Sequence, residues 1–263
     1  MLNIVVLVKQ VPGTDNVKMD PETGVMIRSG KDTIINPLDE NALAEAIRIK
    51  NSHENVKVTA ISMGPDSAIK ALKEAIAMGA DEGVLISGRA FAGSDTIATA
   101  KAIAAAIKKL DSVDLIVCGE RATDGETGQT GAMIAHYLDI PVETYVSAIE
   151  VKETSAILKR TVEGGFERIE VPYPVMATVN KDINEPGFPT LKGKLQAKQK
   201  TIPVYGPEAL GLEPAELGLK GSPTRVVKVF SPKLSRDTIM KKANGTTEPV
   251  DELIKFLSGK DVI

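Results

Sequence analysis

Gly125, Gly128 and Gly131 stand at every third position in the run GERATDGETGQTGAMIAHYLDIP, residues 119–141. A glycine repeat of this kind is a poor helix and a good loop, because glycine takes positive φ and lets a ligand approach the backbone closely. Thr127, Gln129 and Thr130 add side-chain donors between and beside the glycines. Upstream, VDLIVCG (residues 113–119) is a short apolar, β-branched run, and downstream GAMIAHYL (residues 131–138) has helical apolar spacing. The spacing predicts a strand-to-helix turn. The unpaired amides and the dipole at the start of such a helix favour a phosphate, so the suggested chemistry is nucleotide binding. A plain connection with a loose cap is the competing account, since glycine-rich turns between strand and helix are common. Neither a Walker A pattern nor GxGxxG occurs anywhere in the chain, so the usual ATPase and Rossmann signatures lend no support.

Composition narrows the function classes. The 263 residues suffice for a sizeable core in one large domain, or one domain with an appendage. A formal charge of −3 with mixed charge patterning is no nucleic-acid footprint, and the absence of tryptophan argues against base-stacking platforms. Cys118 is the single cysteine, which excludes an internal disulfide framework and predicts an inert thiol at the end of an apolar strand. MLNIVVLVKQV has strand length and no basic leader, and no segment reaches membrane-spanning length. A cytoplasmic protein with no membrane insertion is the expectation.

The elements that must position the glycine run alternate. Residues 4–11 read as a first strand, and two β-rich pieces between Asp15 and Ser29 flank a turn signal that suggests a hairpin excursion. A helix follows, with Asn36 able to cap, Pro37 at its first position, Asp39 and Glu40 in its first turn, and an apolar stripe of Leu38, Ala42, Ala46 and Ile49. Residues 56–63 are a strand, Gly64 and Pro65 open a helix that Gly79 stops, and residues 84–87 are another strand before the alanine-rich helix of residues 94–110. This alternation predicts an α/β fold with a doubly wound, mostly parallel sheet. Beyond Pro141 four β-rich pieces (residues 145–151, 156–162, 166–171 and 175–179) suggest added antiparallel or edge strands. From Ile183 the chain turns rich in proline, glycine and lysine, which reads as an extended C-terminal arm lying along a partner subunit through apolar anchors at Phe188, Leu191, Leu195 and Val204, or as a solvated linker to a last helix at residues 250–257. The expected division is a nucleotide-binding domain over residues 1–183 and an arm and helix over residues 184–263.

Several separated segments occur in the order found in the electron transfer flavoprotein β subunit: IVVLVKQVP, NPLDENALAEAIRIK, SMGP with ALKEAIAMGAD, GERATDGETGQTG, and ATVNKDINEPGFPTLKGKLQAKQK. The chain resembles that family over about its first 200 residues, most specifically in the QTG run and the NEP…TL arm. The resemblance implies a heterodimer with an α subunit and an adenine nucleotide held in the β subunit. In many members the nucleotide is AMP. In the anaerobic, flavin-bifurcating branch it is FAD, which takes a hydride from NADH and sends electrons to a partner flavin-dependent dehydrogenase and to ferredoxin or flavodoxin.

Carried over residue by residue, the resemblance puts Leu7, Val8 and Lys9 beside the nucleotide and Asn36, Met63 and Gly64 on the adenosine side. Ala122, Thr123, Asp124, Gly125, Gln129, Thr130 and Gly131 would hold ribose and phosphates, with Thr127 and Gly128 in the same run. Phe91, Ala92, Gly93, Ser94, Asp95 and Thr96 follow a strand and open a helix, and this FAGSDT loop is similar to the one that meets the additional flavin half in the bifurcating branch. A simple helix cap, Ser94 with Asp95, is the alternative there. Leu191 corresponds to the leucine that docks into the dehydrogenase. FAD is the favoured cofactor, AMP the rival, and a stand-alone ATP-binding sensor a remote alternative. No residue pattern points to a nucleophile, proton relay or metal site: His53 sits in a polar loop, and His136 on an apolar helix is expected to be packed.

Overall fold

The computed structural model describes residues 1–13, 33–227, 238–242 and 245–263, so the hairpin expected between Asp15 and Ser29 lies outside the described residues. The chain divides into two compact units, Met1–Val227 and Lys228–Ile263.

In the first unit the apolar run near the N-terminus is two strands, β1 (Leu2–Leu7) and β2 (Gln10–Pro12). β2 pairs antiparallel with β3 (Thr33–Ile35), which leads into α1 (Pro37–Ser52). Next come β4 (Val56–Met63), α2 (Ile69–Met78), β5 (Glu82–Ile86), α3 (Thr96–Ile107), β6 (Leu115–Gly119) and α4 (Thr130–Leu138). The four β-rich pieces after Pro141 are β7 (Val142–Val151), β8 (Ser155–Val162), β9 (Gly165–Pro172) and β10 (Val175–Val179). α5 (Leu191–Gln199), β11 (Val204–Tyr205) and the short turns α6 (Pro207–Leu210) and α7 (Gly218–Gly221) complete this unit. The second unit contains α8 (Glu248–Ser258), an amphipathic helix whose Val250, Leu253, Ile254 and Phe256 are exposed.

Nine strands form one sheet in the order β11-β5-β4-β1-β6-β10-β7-β8-β9. β5, β4, β1, β6 and β10 are all parallel, so their carboxyl ends share one edge. Both faces are covered. Ile4, Val6 and Val8 point into the core shared with α1 and α2, while Val5 and Leu7 point into the core shared with α3 and α4. Burial on both sides explains why the central strands are continuous apolar runs without alternation.

Two elements differ from the sequence expectation. β10 is not an edge strand: it inserts between β6 and β7, parallel to both, while the antiparallel pairs are β7–β8 and β8–β9. The arm is extended only in parts. Thr190 Oγ1 caps α5 by accepting from Gly193 N, and the bare Gly193 lets α5 press onto the Ala77 carbonyl of α2; further on, β11 joins the sheet beside β5. The sequence LKGKLQAKQ carries no apolar stripe, so periodicity could not reveal this helix.

Candidate nucleotide site

From β1 the chain passes to β4 and then β5 on one side, and afterwards returns to place β6 on the other side of β1. The order reverses between β1 and β6. At such a switch point the loops leaving the two carboxyl ends part and open a crevice, which is where doubly wound sheets bind ligands.

Leu7, Val8 and Lys9 lie at the carboxyl end of β1 and residues 119–131 at that of β6; Leu7 and Val8 are buried with their side chains in the two cores. Lys9 Nζ crosses the opening to Asp124 Oδ1 at 2.6 Å, with the Asp124 side chain only 4 % exposed. Asn36, fully buried just before α1, gives both polar atoms to the loop: Nδ2 donates to the Arg121 carbonyl (2.9 Å), and Oδ1 accepts from Thr123 N (3.1 Å). Met63 and Gly64 close β4 on the same edge, and Gly64 N donates to the Ile86 carbonyl of β5.

Beyond Thr123 the loop turns outward. Gly125 N and Glu126 N both donate to the Ala122 carbonyl, and residues 125–129 are exposed. The three glycines have separate reasons. Gly128 has φ +61°, Gly131 is buried where a Cβ would meet Thr178 Cγ2 at 2.5 Å, and a Cβ on Gly125 would meet nothing within 4 Å. Gly131 therefore seats the start of α4 on β10 and β6. Gln129, at the cap position of α4, makes no side-chain cap bond, so among the described residues no side chain caps the first amides of that helix. An uncapped helix start beside an exposed donor-rich loop and a lysine suits a phosphate. The residues present fit a nucleotide.

The FAGSDT loop lies elsewhere on the edge, after β5, two strands from β1. Its helix start is capped from within: Asp95 Oδ1 accepts from Ile97 N (3.0 Å) and Ala98 N (3.1 Å). Asp95 Oδ2 accepts from Thr224 N and Oγ1, and Ser222 Oγ accepts from Asp95 N. Burial would raise this carboxyl, but the bonds it accepts outweigh that and hold it below its ordinary value. Ser94 is not the cap; its hydroxyl donates to the Phe91 carbonyl.

Leu191 opens α5 and is 77 % exposed, beside Phe188 at 96 %. The root of this segment is fixed by Asn184, which exchanges amide bonds with Asn41 of α1 and donates to the buried Glu45. Sequence reasoning missed these anchors, as it missed Asp39. That side chain is 6 % exposed and accepts from Lys9 N (2.8 Å) and Gly119 N (2.9 Å). Burial raises the Asp39 carboxyl to about 6, against the lowering effect of those two amides, Asn36 and the Lys9 charge.

Burial also pushes the Cys118 thiol up, with the Asp39 charge adding to the effect, so the thiol stays protonated as expected of an inert cysteine. His136 is exposed on α4 rather than packed, and His53 meets the Ile49 carbonyl through Nδ1. Among the described residues no group of His, Cys, Asp and Glu could hold a metal, and no helix is long and apolar enough to cross a membrane.

Comparison with known proteins identifies the family. The electron transfer flavoprotein domain matches residues 23–210. The electron transfer flavoprotein subunit beta of Thermoanaerobacterium thermosaccharolyticum is 47 % identical over 263 residues, covering all of both chains. The caffeyl-CoA reductase-Etf complex subunit CarD of Acetobacterium woodii is 42 % identical over 262 residues, again with full coverage of both. The acryloyl-CoA reductase electron transfer subunit gamma of Anaerotignum propionicum is 41 % identical over 270 residues, also end to end. With the family model matching most of its length and relatives aligned over the whole of it, the chain belongs to the electron transfer flavoprotein β-subunit family.

Proposed function

We propose that this chain pairs with an electron transfer flavoprotein α subunit and holds FAD in the crevice between β1 and β6, as part of an NADH-oxidising, flavin-bifurcating complex. The observation that carries the reading is the start of α4, which Gln129 leaves without a side-chain cap, at the end of an exposed, glycine-spaced loop whose Asp124 pairs with Lys9. Amides from Gly128 to Gly131, with the Thr127 and Thr130 hydroxyls, would hold the pyrophosphate, and Lys9 would offset its charge. Met63 and Gly64, at the end of β4, would border the adenosine. The bound flavin would supply the redox chemistry, accepting hydride from NADH and passing electrons onward, while the chain binds and orients it. No side chain at the crevice is needed as a nucleophile. Leu191 and Phe188, exposed at the head of α5, would contact the dehydrogenase, and ferredoxin or flavodoxin would take the other electron. Two relatives named as subunits of acyl-CoA reductase complexes support a dehydrogenase acting on CoA thioesters as the partner.

One observation favours a second reading, AMP alone. The helix amides behind the FAGSDT loop are occupied by Asp95, and Asp95 is itself held by Ser222 and Thr224, which leaves that loop fewer free donors for a second half of FAD. Cofactor analysis of the purified αβ complex separates the two: two FAD per heterodimer supports the first reading, one FAD with one AMP the second. Anaerobic titration with NADH tests the redox role, and a complex whose flavins stay oxidised under excess NADH would remove the bifurcation reading.

A further inference from the structure

β1 and β6 pair only as far as Val6 with Val117, and past that point the two strand ends separate. On its far side the outgoing segment still has a strand neighbour, since Glu120 N donates to the Val179 carbonyl of β10. On its near side β1 has left, and side chains from the start of α1 take the place of a strand. Gly119 N donates to Asp39, the Arg121 carbonyl accepts from Asn36, and Thr123 N donates to Asn36. These contacts hold the segment from the last residue of β6 to the first turn of the loop against the start of α1. The second oxygen of Asp39 takes Lys9 N, and Lys9 in turn accepts from Asn36 N through its carbonyl.

We infer that Asp39 and Asn36 are a positioning pair for the nucleotide loop: they set the width of the crevice between β1 and β6 and fix where residues 119–123 leave the sheet. The inference rests on the nucleotide reading above. Asp39 needs both carboxylate oxygens for this task. Asparagine would offer one acceptor and turn an NH2 group towards the other amide, leaving a buried donor without a partner. Because Asp39 and Asn36 already hold the amides of Lys9, Gly119 and Thr123, a phosphate must be bound further along, at the loop and the start of α4.

Burial acts most on the charge of Asp39, and among the described residues few charged groups act beside it. Lys9 on the β1 tail acts on it by charge, and Cys118 on β6 feels it. Asp124 meets the same Lys9 ammonium, and Glu120 pairs with Arg121 at 3.6 Å. β10 brings no ionisable side chain, and the turn after it brings Lys181 and Asp182, the latter acting on Glu120. Within α1 itself, Glu40 answers to Glu74 of α2.

The test uses the full chain, with Asp39→Asn as the probe and Glu45→Gln as a buried control on the same helix that serves the arm root. Amide hydrogen exchange in the wild type should show Lys9 and Gly119 protected although neither belongs to the β1–β6 ladder. Exchange at those two amides as fast as at the exposed Gly128 would overturn the inference without any variant. Asp39→Asn should release one of the two amides and weaken AMP or FAD binding at least about tenfold, the equivalent of one lost charge-assisted hydrogen bond, whereas Glu45→Gln should do neither. The ratio of wild-type to variant affinity, in which the nucleotide's own titration cancels, should be largest at pH 8 and close as pH falls through about 6. Wild-type exchange and affinity in Asp39→Asn, equal losses in Glu45→Gln, or a ratio independent of pH would each overturn it. A wild-type chain that binds neither nucleotide removes the nucleotide reading instead, and the exchange result still decides whether the clasp exists.

Discussion

Replacing each glycine of the loop by alanine separates the reasons for which glycine stands there. A Cβ at Gly131 would lie 2.5 Å from Thr178 Cγ2, 3.2 Å from Cys118 Sγ and 3.4 Å from Met176 Cε. Carbon atoms rest about 3.5–4.0 Å apart, so the first turn of α4 must retreat by about 1 Å or Thr178 must give way. Thr178 is 4 % exposed and β-branched, with little rotamer freedom to yield. Overpacking of this kind costs about 1–3 kcal/mol, and the stiffness of Thr178 places Gly131→Ala in the upper half of that range. Gly128→Ala meets nothing closer than the Glu120 carbonyl at 3.8 Å but keeps φ +61°, a left-handed conformation that costs about 1–2 kcal/mol for an L-residue. Gly125→Ala has neither a clash nor a positive φ and should stay within about 0.5 kcal/mol of wild type. Urea denaturation at unchanged m gives the three stabilities, and calorimetry with AMP or FAD gives the affinities. Nucleotide binding should suffer most in Gly131→Ala, because the uncapped amides of α4 move with the helix. The reasoning fails if Gly131→Ala is as stable as wild type, or if Gly125→Ala costs as much as Gly131→Ala.

Four further outcomes follow from single contacts. The folded Asp39 carboxyl keeps its proton up to about pH 6 whereas the unfolded one releases it near 3.8. The folded state therefore binds more protons across that window, and wild-type stability relative to Asp39→Asn should fall by of the order of 3 kcal/mol between pH 4 and pH 7; parallel stability curves would refute this. Cys118 should release no thionitrobenzoate from Ellman's reagent in the native chain and one equivalent after denaturation, and fast native labelling would contradict its burial. Asn184→Ala strips partners from the buried Asn41 and Glu45 and should cost about 2 kcal/mol, with faster proteolysis around residues 184–200; an unchanged denaturation midpoint would count against the anchor. Leu191→Ala, at a side chain 77 % exposed, should leave stability within about 0.5 kcal/mol while slowing electron delivery to the dehydrogenase, and an unaltered rate would remove it from the docking surface.

The strands at the centre of the sheet were legible because burial on both faces writes itself as an unbroken apolar run, as in β1, β4 and β6. Pairing partners were not. Nothing in VMATV states that β10 returns past three strands to lie against β6, because periodicity reports which residues are buried and not which strand they meet. The glycine loop was legible as a loop, yet its three glycines looked equivalent and only the packing of Gly131 on Thr178 tells them apart. α5 was illegible for a different reason: a threonine cap and the small buried residues Gly193 and Ala197 hold it, while its leucines are exposed, so it carries no large apolar face.

Asp39 shows most clearly where sequence reasoning stops. An acid in the first turn of a helix has a sufficient local explanation, since the helix dipole favours it by about 0.3–1 kcal/mol on an exposed surface. That explanation predicts an exposed side chain, and Asp39 is 6 % exposed, its carboxyl raised to about 6. Retaining the charge at neutral pH in such a place costs of the order of 3 kcal/mol, more than the dipole returns. Helix stability therefore does not account for the residue. What does account for it are Lys9 N and Gly119 N, 30 and 80 residues away in the chain, two strand-end donors that the parting of β1 and β6 would otherwise leave buried and unmatched. The crevice exists because the strands separate, and the carboxylate is the cost of keeping its walls in place.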